Sequence, residues 1–120
     1  MSLKVSSKKC IKVEHIWVKR DDGSETMTNA LKLVEPYTKE DLYNTIAYHL
    51  GVLDFLAKKG KEWNEISIMG VFKAIASMDI IRKCVEEYKE CEEGKNSIFV
   101  RMNKAYDTIK AIHEKSNHCS

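Results

Sequence analysis

At 120 residues, 43% hydrophobic and 32% charged, the chain has the make-up of one globular domain large enough to bury a core without staples. Its formal net charge of +2, with His neutral, is too small to advertise a general polyanion binder and leaves room only for a local basic patch. No apolar run reaches the roughly 18 to 20 residues that a membrane helix needs, and the start, MSLKVSSKKC, lacks the apolar stretch of a secretory signal, so a cytoplasmic protein is expected.

Residues 1–9 are polar and loose in this reading. From Cys10 to Val18, CIKVEHIWV alternates: Ile11, Val13, His15 and Trp17 point one way, Lys12, Glu14, Ile16 and Val18 the other. KRDDGSE then supplies a turn, with Asp22-Gly23 the usual pair for positive φ, and TMTNALKLV alternates again. The result is a β-hairpin within 10–34, its strands at about 11–19 and 25–34. A two-stranded hairpin is marginal alone, so it must lie on helices or pair with a second copy.

Pro36 ends the strand, and Thr38 followed by KED predicts a helix start with Thr38 as N-cap and Glu40 and Asp41 at the positive end. Leu42, Ile46, His49 or Leu50, Leu53 and Leu56 form the buried stripe, and Gly60 is expected to close this helix after Lys59. A second, long helix is expected from Asn64–Ser67 to Glu93, with Gly70 as a kink or break near its start and a stripe of Ile68, Val71, Phe72, Ile75, Met78, Ile81 or Arg82, Val85 and Tyr88. After Gly94, Asn96 or Ser97 should cap a third helix with Ile98, Phe99, Met102, Ala105, Tyr106, Ile109 and Ile112 on one side. It ends near Lys115 and leaves 116–120 as a polar tail. The fold class is α+β: one domain, a hairpin followed by three helices in 38–115, packed as a homo-oligomer. The oligomer is expected because Ile16–Val18 is apolar on both faces and the second helix is long.

Only three of the 20 basic residues are arginine: Arg20, Arg82 and Arg101. Arginine grips phosphate or carboxylate through a flat fork where lysine offers a point charge. If the third helix starts at Asn96 or Ser97, Arg101 stands one turn inside a natural anion site, with Asn103 and Lys104 nearby. The plainer alternative pairs it with Glu92 or Glu93. Arg82 either lays its stem over the core edge or enters a shared groove. Among the aromatics, Phe72 and Phe99 sit in helix stripes and read as core, whereas Trp17 near the hairpin tip and Trp63 in KKGKEW read as partly exposed and able to stack on a base. Lys58, Lys59 and Lys61 also suit the negative end of a helix, which needs no ligand.

Cys10, Cys84, Cys91 and Cys119 are expected to be reduced; Cys84 and Cys91 are about 10 Å apart along one helix, too far to bond. His113, His118 and Cys119 cluster near the end, but no C-x-x-C or H-x-x-x-H pair occurs, so no metal and no cofactor are expected. No hydrolase, phosphate-loop or dinucleotide motif occurs either. His49, Asp54, Asp79 or Cys84 could only form a scattered site, and a non-enzymatic protein is expected.

In size and in its order of hairpin and helices, the chain resembles the small phage proteins that counter the Thoeris defence by sequestering cyclic ADP-ribose signals. The resemblance spans the whole chain through layout, without a diagnostic motif. It implies a symmetric assembly with a non-catalytic pocket at a dimer interface, where aromatics grip adenine and arginines hold pyrophosphate. Trp17, Phe72, Arg82 and Arg101 would play those parts, with Asn96 and Asn103 as polar readers. The expected ligand is therefore a nucleotide-like small molecule. The alternatives are a nucleic-acid-binding regulator using the hairpin or the KKGK end, and a protein–protein inhibitor.

Overall fold

The structure, a computed structural model, describes residues 11–20, 22–33, 37–87 and 92–118. The readings made for 1–9, Pro36, Tyr88, Cys10, Cys91, Cys119 and the last two residues of the tail lie outside them. Two antiparallel strands, β1 (Ile11–Lys19) and β2 (Glu25–Leu33), are followed by three helices, α1 (Lys39–Trp63), α2 (Ile68–Glu87) and α3 (Glu92–His118). The expected hairpin followed by a helical bundle is therefore present.

The hairpin register runs from Ile11 opposite Leu33 to Lys19 opposite Glu25. At the turn Gly23 adopts φ 92°, a conformation that L side chains rarely take, and its N–H donates to the Arg20 carbonyl at 2.9 Å. Asp22 organises the tip: its Oδ1 accepts from the Ser24 N–H at 2.9 Å and hydroxyl at 2.7 Å, and its Oδ2 accepts from Arg20 Nη2 at 2.8 Å. Those Ser24 bonds hold the Asp22 carboxyl below the ordinary carboxylate range. Alternation then decides the faces. Val18, Thr28 and Ala30 are buried against the helices, while Trp17 and Met27, directly opposite each other, face solvent. Much of the apolar surface that 16–18 promised for an oligomer is thus consumed inside the chain, because Val18 is core and Ile16 packs against it.

Thr38 caps α1 as expected. The Asp41 N–H donates to Thr38 Oγ1 at 3.0 Å and the Thr38 N–H donates to Asp41 Oδ2 at 2.9 Å, a reciprocal capping box. The far end departs from expectation. Gly60 lies inside α1, and the left-handed residue that stops the helix is Asn64, at φ 57°. Gly60 serves packing instead: a Cβ there would collide with Ile66 Cδ1, and would stand 2.6 Å from Ile66 Cγ1 and 3.3 Å from Ile112 Cδ1. The chain after α1 therefore folds back onto the helix through the space that a missing side chain leaves.

α2 starts after the loop, at Ile68, where Ser67 Oγ accepts from the Gly70 N–H at 3.2 Å. It is buried nearly all round, through Val71, Phe72, Ala74, Ala76, Ser77, Met78, Ile80, Ile81, Cys84 and Val85, and packs against α1, α3 and both strands. Ile68, expected in the stripe, is exposed. Tyr37 ties the end of α2 to the strand–helix connection by donating its hydroxyl to Glu87 Oε1 at 2.6 Å. α3 already runs from Glu92, so Gly94 does not separate two helices and Asn96 and Ser97 are not its caps. An interior glycine costs a helix only about 1 kcal/mol. Two buried histidines complete the bundle. His49 Nδ1 lies 2.9 Å from Ser77 Oγ, and His113 Nδ1 lies 2.8 Å from the Ile66 carbonyl, which can only accept, so that nitrogen carries the proton. Among the described residues, no helix is long and apolar enough to cross a membrane.

Gly60→Ala should destabilise the fold by about 1 to 3 kcal/mol through overpacking against Ile66, measured by urea unfolding. An exposed helical glycine without neighbours would gain from the same change.

Candidate functional site

Arg101 is deep in α3 rather than one turn from its start, so the helix-end anion site expected around it does not form. Its guanidinium Nη2 donates to Asp54 Oδ2 of α1; the side chains of Glu92 and Glu93, the alternative partners, lie outside the described residues. Both groups are about half exposed, so the pair adds at most about 1 kcal/mol to stability. Its consequence is geometric: it holds a flat cation across the seam between two helices.

The seam is an open groove of about 540 Å³, lined by Asp54, Ala57, Lys58, Lys61 and Glu62 of α1 and by Arg101, Lys104, Ala105 and Thr108 of α3. Helical phase builds it. Positions 54, 58 and 61 share one face of α1, and 101, 104 and 108 share one face of α3. Four cations therefore face two carboxylates, and both carboxylates are already engaged, Asp54 by Arg101 and Glu62 by Lys59 at 3.3 Å. Lys58, Lys61 and Lys104 enter no ion pair among the described residues. Beside the groove, Lys59 Nζ sits 5.9 Å from the ring centres of both Phe55 and Trp63.

The other expected site residues are placed elsewhere. Trp17, 67% exposed, lines a second pocket of about 340 Å³ between the hairpin and α2, with Lys32, Tyr37, Asp79, Lys83, Cys84 and Glu87 among its walls. Arg82 stands beside that pocket and pairs with Asp79 at 3.1 Å, one turn away on the same helix. Phe72 is 3% exposed and belongs to the core, so within the chain its ring offers no face to a ligand. Asn96 and Asn103 are exposed on α3 and line neither cavity. The six residues expected to converge thus divide between a hairpin pocket, a helical groove, the core and open surface. The chain matches no protein-family model, no curated protein and no solved structure.

Neither cavity carries an activated nucleophile. Burial first, and then the Glu87 charge, push the Cys84 thiol up to about 11, so it stays protonated at neutral pH. The Ser77–His49 pair faces a cavity of only about 60 Å³, enough for a few waters. Among the described residues no group of three or more His, Cys, Asp or Glu side chains is placed to hold a metal ion. The sequence already showed the lysines of KKGK and Lys104 near Arg101. Asp54 was read only as a member of a scattered catalytic site; what the sequence did not show was its pairing with Arg101, and its phase with Lys58 and Lys61 was the available signal.

Cys84 should resist alkylation by iodoacetamide at pH 8 in the native protein and react once urea opens the fold, as followed by peptide mass mapping. Because its pKa is raised to about 11, the thiolate fraction there is on the order of one in a thousand. Ready alkylation in the native state would contradict the burial.

Proposed function

We propose that this protein is a non-enzymatic binding protein that holds a nucleotide-like phosphate anion in the groove between α1 and α3. The observation that carries the reading is the convergence of Lys58, Lys61 and Lys104, without ion-pair partners among the described residues, around an arginine pinned by Asp54. Unpaired cations on one concave surface repel one another, and an anion bearing two or more negative charges relieves that repulsion. Arg101 brings the planar fork that suits a phosphoryl group, Thr108 adds a hydroxyl, and the lysines supply mobile point charges. Sequestering a signal nucleotide, the use that the likeness in layout to the phage anti-Thoeris proteins suggests, needs this kind of site and no catalytic group. A binding role is also supported by the closed Ser77–His49 pair and the protonated Cys84 thiol.

The hairpin pocket is the weaker choice for a phosphate. Its lining carries two lysines, Lys32 and Lys83, and two carboxylates, Asp79 and Glu87, against the four cations and two carboxylates of the α1–α3 groove. A second reading, single-stranded nucleic acid, is favoured by Phe55, Lys59 and Trp63 beside the groove, since cations can track a backbone while exposed rings stack on bases.

Calorimetric titration with ADP, and separately with inorganic pyrophosphate, should give binding that weakens at least tenfold in the triple variant K58A/K61A/K104A, because each charged phosphate contact is worth roughly 1.5 to 3 kcal/mol. Absence of binding to either probe, or unchanged affinity in the variant, would defeat the reading. A salt series with a short oligonucleotide separates the two ligands: a strand neutralising several phosphates loses affinity steeply with salt.

A further inference from the structure

Arg20–Asp22, Lys59–Glu62 and Arg82–Asp79 are local ion pairs, each joining residues two or three apart, as a turn or a helix face brings them together. Arg101–Asp54 differs in kind. Its members are 47 residues apart, one on α3 and one on α1, and meet only because the two helices dock. Asp54 has a nearer cation in Lys58, one turn further along α1, and an acid and a lysine four apart are the usual helical pair. Its carboxylate lies on the guanidinium instead, and Lys58 enters no ion pair among the described residues.

The place of this contact matters for the groove. Both side chains line it, with relative exposures of 46% for Asp54 and 55% for Arg101, so the pair is open to whatever enters. A carboxylate and a phosphoryl group use the same edge of a guanidinium, through the same N–H donors. We propose that Asp54 is a built-in competitor for the groove's ligand: in the free protein its carboxylate stands where a phosphoryl oxygen goes on Arg101, and a bound anion displaces it into water. This rests on the phosphate reading of the groove and adds how that site is regulated.

The energetics suit a displaceable contact. A half-exposed pair is weak and screened by salt, and Asp54 regains water when it leaves. The loss is the same for every ligand, whereas the gain rises with the number of cations a ligand reaches. An anion that touches Arg101 alone exchanges one negative group for another. One that also reaches Lys58, Lys61 and Lys104 gains contacts beyond that exchange. The internal pairing thus lowers the affinity for every anion by one factor and leaves only multiply charged ones firmly held. Glu62 is a natural control. It lines the same groove but is engaged by Lys59, and it stands eight residues beyond Asp54, a rise of about 12 Å.

Calorimetric titration of the full chain with pyrophosphate tests the proposal. Asp54→Asn should bind roughly two- to fivefold more tightly than wild type, the factor that an exposed ion pair represents. Glu62→Gln removes the same charge without releasing Arg101 and should give a clearly smaller gain. Arg101→Ala keeps the three lysines, so binding weakens but persists, and Asp54→Asn added in that background should yield no more than the Glu62→Gln gain. Circular dichroism checks the fold of each variant, which half-exposed side chains should leave intact. Weaker binding by Asp54→Asn makes Asp54 a positioning residue for Arg101 and overturns the proposal. A gain matched by Glu62→Gln, or one that survives without Arg101, reduces the effect to bulk charge and overturns it too. If K58A/K61A/K104A loses pyrophosphate while Asp54→Asn matches wild type, the groove reading stands and this inference alone falls. If wild type and Asp54→Asn both ignore pyrophosphate, the two fall together.

Discussion

Everything in this molecule is arranged around the burial of α2. The helix has core residues on nearly all sides and touches α1, α3 and both strands, so each neighbouring element finds its apolar partner there. Leu53 of α1, Met102 and Ile109 of α3 and Val18 of β1 reach this common centre. A two-stranded hairpin is not stable alone in water, and here its inner face is stabilised by the helical surface on which it lies. The two buried histidines and Ser77 are accommodated in the same interior only because their polar atoms find partners.

With the centre so occupied, charge is pushed to the seams, and the seam between α1 and α3 is where cations accumulate. The Arg101–Asp54 pair contributes little stability at its exposure, yet it fixes the guanidinium that the mobile lysines surround. Modest net charge for the whole chain and a locally positive groove are compatible, because the groove's lining alone carries four cations and two carboxylates, while acids such as Asp41 at Thr38 and Asp22 at Ser24 lie elsewhere.

The two glycines of α1, Gly60 and Gly51, stand in different surroundings. One is occupied by a side chain from the following loop, the other opens outward between two exposed rings. The first is required by packing and the second meets nothing within the chain, although the sequence presents both simply as interruptions in a helical pattern.

Alternation and helical period were sufficient to identify the hairpin, the Thr38 cap and the buried stripes of α1 and α3, because these are short-range consequences of strand and helix geometry, whereas α2 is buried on more sides than its expected stripe and leaves Ile68 exposed. Helix ends were less legible. Gly60 and Gly94 resembled stops, but a glycine ends a helix only when tertiary contacts do not carry the helix past it, and Ile66 packing on Gly60 lies outside any local rule. The candidate site divided for the same reason. Arg101, Trp17, Phe72 and Arg82 each had chemistry readable from its residue type, whereas which of them meet depends on how three helices and a hairpin dock. Composition and periodicity thus determined the elements and the kinds of side chain available. Only the tertiary structure decided that Arg101 faces Asp54 beside Lys58, Lys61 and Lys104, that Phe72 is core and that α1 presents an open aromatic face, since contacts between residues distant in sequence are set by packing and not by local pattern.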